Sequence, residues 1–381
     1  MGSLTWKTVG ANSPAIIALF CPSRSFAPAP NRTAKGPGRL MKLCTGIVMV
    51  VMLAARATAV PAPDRRPLGE VDFFGYKGLD VAAVRAALPF HEGDSFPPPK
   101  VHSDQLKKQV ADAIEHAIAR KPTDVSFICC DAKQHYIVYI GLAGESYEAL
   151  AFNAAPTGGV RFRKDALKLS QDMDRAWTNA VMNGHATEDD SAGYALTNDP
   201  EARKAELALR DYALQHEELV LQVLTSSSDA EHRALAAEML GYGRQSDRQI
   251  DALVQASLDP DSEVRNNAVR ALEVLATARP ALARSIPAQS FIRLLRSGAW
   301  LDHNKASLLL AALTTTREPR LLKELRADAL ESLLEMARWR YIGHAEAALT
   351  ILGRMAGIEE DTLNKLIDAG QASTILAKFD R

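Results

Sequence analysis

The chain has 381 residues, of which 47% are hydrophobic and 24% charged; this composition is ordinary for a globular protein and excludes a chain that is disordered throughout. The length allows about two domains with substantial cores. The net charge of −1 is uneven, because residues 1–59 carry seven basic and no acidic residues; the rest has 38 basic against 46 acidic residues, or −8, which argues against nucleic-acid binding.

The N-terminal segment has the three-part layout of a secretory signal. Two basic residues precede an apolar run at 43–55, and small residues follow in an A-x-A arrangement that ends at Ala59. We therefore expect cleavage after Ala59. The run is shorter than the roughly 20 apolar residues that a membrane span needs, and an uncleaved anchor is the alternative. Residues 1–59 are assigned to an N-terminal extension and signal peptide, in which Met41 sits where a signal should begin.

Residues 60–150 are predicted to form a small α+β domain with the order β-α-α-β-β. The segment "LGEVDFFG" alternates as a strand does and ends at Gly75, and the later runs "DVSFICC" and "HYIVYIGL" are rich in β-forming residues. Asp80 can cap a first helix, and apolar residues at helical spacing between 101 and 117 indicate a second. Two helices on one face of a three-stranded sheet would make a two-layer domain.

This order resembles a POTRA-like module, the polypeptide-transport-associated domain of bacterial envelope proteins. The matching features are the strand that ends at Gly75, the "VRAAL" helix, the "HEGD" turn around Gly93, the second helix and the closing hairpin. The resemblance implies a domain without catalytic residues that binds other proteins, commonly by pairing a strand with its sheet edge. An unrelated α+β domain of the same order is the alternative.

Cys129 and Cys130 are the cysteines that follow the predicted signal. Sequence neighbours have Cα atoms about 3.8 Å apart, whereas an ordinary disulfide needs about 4.4–6.8 Å. We expect two separate thiols; a strained vicinal disulfide that acts as a redox switch is the alternative.

Residues 151–210 are predicted to be a helical connector, interrupted by the acidic segment "GHATEDDSAGY". Its side chains His185, Glu188, Asp189 and Asp190 are of the types that hold a divalent cation. Their spacing matches no EF-hand loop and no HExxH zinc helix. A solvated acidic turn that caps the next helix is the structural interpretation, and a metal-dependent enzyme with its site in residues 185–191 is the rival functional hypothesis.

Residues 211–381 contain a pattern that recurs. "DAEHRALAAEML" at 229–240 aligns without a gap with "DSEVRNNAVRAL" at 261–272. The shared pattern is D-x-x-x-R-x-x-A-x-x-x-L, so that Asp229 and Arg233 correspond to Asp261 and Arg265. An acid at the cap satisfies free N–H groups, and the apolar positions form one buried stripe. Each unit is predicted to be a helix pair.

Two later segments repeat the pattern more loosely. His303 and His344 occupy the arginine position at somewhat longer offsets, without the acidic cap. We interpret them as substitutes for the arginine rather than as metal ligands. Trp300, Trp339 and Tyr341 near these positions are either core residues or anchors for a partner.

The repeated pattern resembles the HEAT-repeat family, especially the short repeats shared with phycobiliprotein lyases. The resemblance extends over nearly all of residues 211–381 and implies a right-handed α-solenoid whose concave face binds protein partners. Asp229, Arg233, Asp261 and Arg265 are expected to join a ladder of acid–arginine pairs between repeats. Stacked hairpins bury in common a face that no single hairpin can bury alone.

The sequence thus predicts a mainly α chain, with a C-terminal α-α superhelix preceded by the small α+β domain. The predicted function is an exported, non-catalytic scaffold for protein–protein interaction. We expect it in the periplasm or another extracytoplasmic location, with a protein partner in the cell envelope and no catalytic residue, cofactor or nucleic acid. Membrane contact is expected only if residues 43–55 remain as an anchor.

Overall fold

A sheet with two helices comes first in the fold, and helical hairpins follow it to the C-terminus. The computed structural model describes residues 65–96 and 104–380, so the predicted extension and signal, residues 1–59, lie outside the described residues. Within them the chain is mainly helical, and a helical-repeat region follows the sheet domain. The predicted fold class is confirmed.

The sheet has four strands in the order β2-β1-β4-β3, in which β1 runs parallel to β4 and the other neighbours are antiparallel. The two-residue strand β2 was not predicted. The strands are β1 (Arg66–Phe74), β2 (Ser95–Phe96), β3 (Asp124–Cys129) and β4 (Tyr136–Gly141).

Helices α1 (Val81–Ala87) and α2 (Asp104–Ile118) cover one face of this sheet. The side chain of Asp80 accepts a hydrogen bond from the backbone N–H of Ala83 and so begins α1. Val84, Val110 and Ile114 are fully buried against the strands. We call residues 65–142 the module.

Strand β4 is buried at every position, on both faces of the sheet. Tyr136, Val138 and Ile140 belong to the core under α1 and α2, whereas Ile137 and Tyr139 belong to the core of the helical region. Successive side chains of a strand point to opposite faces, so the second face of the sheet packs on the repeats. The two helices lie on one face of the sheet as expected, and the repeats add a third layer on the other face, which was not predicted.

Two helices and a small hairpin connect the module to the repeats. Helix α3 (Lys164–Met182) packs on α4 (Pro200–Gln215), and the strands β5 (Glu188–Asp189) and β6 (Leu196–Thr197) lie between them. Asp199 caps α4 and Pro200 occupies its first turn, where a missing N–H costs nothing.

The repeats are helix pairs whose second helices pack in succession, α6 on α8, α8 on α11 and α11 on α14. The pairs are α5 (Glu217–Ser226) with α6 (Ala230–Gly241), α7 (Asp247–Ala256) with α8 (Ser262–Ala278), α10 (Ala288–Leu294) with α11 (Trp300–Leu313), and α13 (Leu330–Ala337) with α14 (Ile342–Met355). Shorter elements join or end the pairs: α9 (Pro280–Ala283), α12 (Pro319–Asp328), α15 (Glu360–Asp368) and α16 (Ala372–Leu376).

Small residues allow the second helices to approach closely. Ala236, Ala268 and Ala306, at one repeat position, are all fully buried. Among the helices of the described residues, none is both long enough and apolar enough to span a bilayer.

The stability of the stacked second helices should depend on the leucines that are buried between them. Leu310→Ala, at a fully buried position of α11, should lower the free energy of unfolding by about 2–5 kcal/mol, because the transfer and cavity terms add. Leu207→Ala, at a position that is 40% exposed, should change the free energy of unfolding by no more than about 0.5 kcal/mol. Urea unfolding followed by circular dichroism measures both, and equal losses would contradict the stacking.

Candidate functional site

The turns between the first and second helices of the repeats are tied together by buried arginines. The guanidinium of Arg233 donates to both carboxylate oxygens of Asp259 at 2.8 Å, and to the carbonyl of Ser227 at 3.0 Å. Arg233 is 1% exposed and Asp259 7%, so this bidentate pair is shielded from water. It joins the turn of the first hairpin to the turn of the second.

The next pair repeats this geometry one hairpin further along. Arg265 donates to Asp302 at 2.9 and 2.8 Å and to the carbonyl of Asp259 at 2.8 Å. Its guanidinium lies over the ring of Phe152, 3.8 Å from the ring centre. Consecutive hairpins are thereby fixed in register, because the planar fork of arginine accepts one carboxylate orientation.

The acids of the predicted ladder have a different role. The side chain of Asp229 accepts from the backbone N–H of Glu231, and that of Asp261 accepts from the N–H groups of Glu263 and Val264. Both therefore cap their own helices. The carboxylates that pair with the arginines are Asp259 and Asp302, so the assignment of Asp229 and Asp261 to the arginine pairs is wrong.

His303 takes part of the role of the arginine at its position. Its Nε2 is 2.8 Å from the carbonyl of Ser297, which corresponds to the bond from Arg265 to the carbonyl of Asp259. His344 instead binds the module, since its Nδ1 is 2.7 Å from the hydroxyl of Tyr139. The arginine pairs stop where the module begins to cover the repeats.

A carboxylate of the last hairpin holds the turn that follows β1. Glu335 is 3% exposed and accepts hydrogen bonds from the backbone N–H groups of Gly75, Tyr76 and Lys77 at 2.7, 3.1 and 2.8 Å. Ser146 donates to the same carboxylate at 2.6 Å. Burial raises the pKa of Glu335, and these hydrogen bonds oppose the rise.

The edge of β1 is bound by the turn before α14. The indole N–H of Trp339 donates to the carbonyl of Phe73 at 2.9 Å, and the backbone N–H of Arg340 donates to Asp72 at 2.9 Å. The Arg340 guanidinium also donates to Glu92. Most of these bonds involve main-chain groups, so the repeats recognise the shape of the β1 segment.

Tyr139 lies at the centre of an aromatic cluster between the module and the repeats. Its ring is stacked 5.2 Å from Trp300 and lies 4.7 Å from Trp339 and 5.4 Å from His344. Trp300, Trp339 and Tyr341 are all buried, which favours core packing over exposed anchors for a partner.

An extended segment, residues 143–163, crosses the turns of three hairpins; we call it the strap. Glu148 donates its backbone N–H to the carbonyl of Arg296, Asn153 donates to that of Leu258, and the carbonyl of Gly158 accepts from Ser228. From the N-terminal end of the strap onward, the three contacts reach the turn of the third hairpin, then that of the second and then that of the first. The strap thus fastens the module to the array along the turns that carry the arginine pairs.

The acidic segment 185–191 does not gather its side chains into one site. Glu188 forms an ion pair with Arg270 of α8, whereas the Asp189 carboxylate accepts from the N–H of Ser191. Burial raises the pKa of Glu188 to about 7 and also raises that of Asp190. His185 is exposed. Glu188 is a packing partner of α8 here.

No group of three or more His, Cys, Asp or Glu side chains in residues 65–96 and 104–380 is placed to hold a metal ion. Lys305 of α11 is 2% exposed, and burial lowers its pKa to about 8. Glu188 and Glu273 oppose that change through their charges. The surroundings of the segment are a buried network of mixed charge.

The expectation of two separate thiols at Cys129 and Cys130 is wrong. They are joined in a disulfide at the end of β3.

The geometry of the hairpins agrees with a comparison against known families. Residues 217–289 match the family model described as HEAT repeats. Over these residues the chain is similar to HEAT repeats. The matched residues span both copies of the D-x-x-x-R-x-x-A-x-x-x-L pattern, and HEAT repeats generally mediate protein–protein interaction. The C-terminal half is thus a region of helical repeats, part of which is similar to HEAT repeats.

Other comparisons add little to this. The crystal structure of an engineered protein from the Northeast Structural Genomics Consortium is similar over 57% of this chain and 95% of that chain, at 18% identity and a TM-score of 0.34. That similarity is too weak to bear on fold or function. No curated protein matches the chain.

Sequence reasoning missed Asp259, Asp302 and Glu335. "DPDSEVR" offers two acids before the helix, and the pattern assigned a role to the second alone. Asp302 lies inside α11 and outside the repeated pattern. Glu335 binds residues about 260 positions away, for which a local pattern gives no signal.

The two acids before α8 should differ in their effect on stability. Asp259→Ala leaves the buried guanidinium of Arg233 unpaired and should lower the free energy of unfolding by about 3–5 kcal/mol. Asp261→Ala removes a helix cap and should cost about 0.5–2 kcal/mol. Urea unfolding of the two variants measures this difference.

Glu218→Ala, which breaks an exposed pair with Arg248, serves as the control and should change stability less than either variant. A loss for Asp261→Ala that equals or exceeds the loss for Asp259→Ala would contradict the assignment of the arginine pairs.

Proposed function

We propose that this chain is an exported, non-catalytic scaffold that binds a protein partner of the cell envelope through its HEAT repeats. The observation that supports this most is the pair of buried arginine–carboxylate contacts, because they hold consecutive hairpins in one rigid register. A rigid array of stacked hairpins presents an extended surface to a partner.

The binding surface that we propose lies on the first helices of the repeats. The module and the strap cover α11, α14 and the turns, whereas Gln222 of α5, Gln255 of α7 and Gln289 of α10 are exposed. Leu207 of α4 is the exposed large hydrophobic side chain among the described residues. We therefore expect polar contacts of the kind found in transient complexes.

The module would add a second contribution to binding. The POTRA-like interpretation places the chain in a bacterial envelope, and β3 lies at an edge of the sheet in the order β2-β1-β4-β3. An edge strand presents unpaired backbone groups to which a partner strand can add. This interpretation remains a prediction.

Site-specific cross-linking tests the surface. A photoreactive residue introduced at Gln222, Gln255 or Gln289 of the full chain in bacterial cells should yield an adduct of one discrete mass in the envelope fraction. The reason is that the three positions would lie under one partner. Denaturing electrophoresis and mass spectrometry of the adduct identify that partner.

Gln171, an exposed residue of α3, lies outside both the module and the first helices of the repeats; it is the matched control and should yield no such adduct. The proposal fails if none of the three repeat positions gives an adduct, or if Gln171 gives the same products as they do.

Export has its own test at the N-terminus. If the signal is cleaved after Ala59, the mature protein isolated from the envelope begins at Val60. Mass spectrometry of the N-terminal peptide measures this, and deletion of residues 41–59 should leave the chain in the cytoplasm. A mature chain that retains residues 43–55 would contradict cleavage and favour the anchor.

A further inference from the structure

Two buried histidines lie on the repeats where the module docks. The ring of His303 is 4.5 Å from that of Phe74 of β1, and His344 binds the hydroxyl of Tyr139 of β4. The two residues are 1% and 5% exposed. Each therefore contacts the sheet directly and has little access to water while the module is in place.

Neither imidazole has a hydrogen-bond acceptor, among the described residues, for the N–H group that a second proton would create. The Nε2 of His303 must carry its hydrogen, since its neighbour is the carbonyl of Ser297, and no acceptor faces its Nδ1 among the described residues. The Nε2 of His344 has no partner in the described residues either. A protonated ring would thus bury an N–H group without an acceptor.

We propose that His303 and His344 make the docking of the module pH-sensitive, so that mild acid makes transient opening between the sheet and the repeats more frequent while the repeats stay folded. Each ring regains water only when the sheet lifts. The strap keeps the module attached during such openings. This property belongs to the chain itself and does not depend on the proposed function.

Burial lowers the pKa of His303 to about 4 and that of His344 to about 3. A histidine whose pKa is lowered in the docked state leaves docking unaffected above its ordinary pKa of about 6.5 and weakens docking as the pH falls below that value. The negative charge of Asp302 opposes the lowering of the His303 pKa, whereas the positive charge of Lys305 lowers the pKa of His344 further. The relevant window therefore begins near pH 6.5.

Carboxylates at the same interface act in the opposite direction. Burial raises the pKa of Asp72, Asp124 and Glu335, and raises that of Glu70 to about 7. A raised carboxyl pKa favours docking as the pH falls. Glu70 is half-buried and so partly screened by water, whereas both histidines are buried, and the other three carboxylates keep hydrogen bonds that limit their shifts. Arg340 stays charged throughout. We therefore expect the two rings together to outweigh Glu70 between pH 7.5 and 5.5.

Amide hydrogen exchange of the full chain tests this opening. The backbone N–H groups of Gly75, Tyr76, Lys77 and Arg340 donate to carboxylates across the interface, so they report docking directly. From pH 7.5 to 5.5, their protection factors, corrected for the intrinsic rate, should fall about tenfold or more, while those of α8 stay unchanged.

Substitutions of His303 and His344 test whether their rings cause the loss of protection in acid. In the double variant His303→Gln and His344→Gln the protection should no longer fall with the pH, because only the opposing carboxylates still titrate at the interface. Each single variant should show a smaller fall than the wild type, which preserves the test if the double variant fails to fold. His185→Gln, at an exposed position, should respond as the wild type does. The proposal is overturned if the reporter amides keep their protection at pH 5.5, if α8 loses protection with them, or if the glutamine variants respond like the wild type.

Discussion

A strand with apolar or aromatic side chains at nearly every position cannot leave either face in water, and β4 is such a strand. Its sequence "YIVYIG" is buried throughout, and α1 and α2 cover only one side of it. The other side requires a second cover, because buried apolar area contributes about 25 cal/mol per Å² to folding. The last two hairpins of the repeats provide that cover. The architecture of the chain follows from this requirement: the sheet and the repeats form one packed body.

Polar groups fix the position and orientation of the module on the repeats. Apolar packing alone fixes no register, but the carboxylate of Glu335 meets consecutive backbone N–H groups after β1, and Trp339 and Arg340 meet the strand before them. The same principle operates inside the array, where Arg233 and Arg265 link consecutive turns. A buried charge that lost its partner would be costly, so the hairpins and the module are held to one arrangement. The covered helices leave the first helices as the surface open to other molecules.

The sequence carried enough information for the repeats and much less for their contacts. The recurrence of Asp, Arg, Ala and Leu at matched positions of two segments identified the helix pairs, since such a pattern is local and period-driven. Asp259 and Asp302 were beyond it, because the pairing of an arginine depends on which turn lies next to it in space. The docking of the module had one signal, the lack of alternation in "HYIVYIGL", which is typical of a strand buried on both faces. The acidic segment 185–191 looked like a ligand set by composition alone; the structure turns Glu188 toward Arg270 and leaves His185 exposed.

A double-mutant cycle on Tyr139 and His344 tests most directly whether the sheet sits on the repeats. The two residues are 205 positions apart in sequence and share a hydrogen bond of 2.7 Å across the interface. Urea unfolding of Tyr139→Phe, His344→Gln and the double variant at pH 7.5 should give a coupling energy of about 0.5–3 kcal/mol, as expected for residues in contact. Changes in unfolding free energy that simply add would show that the residues do not meet, and would contradict the packed arrangement of module and repeats.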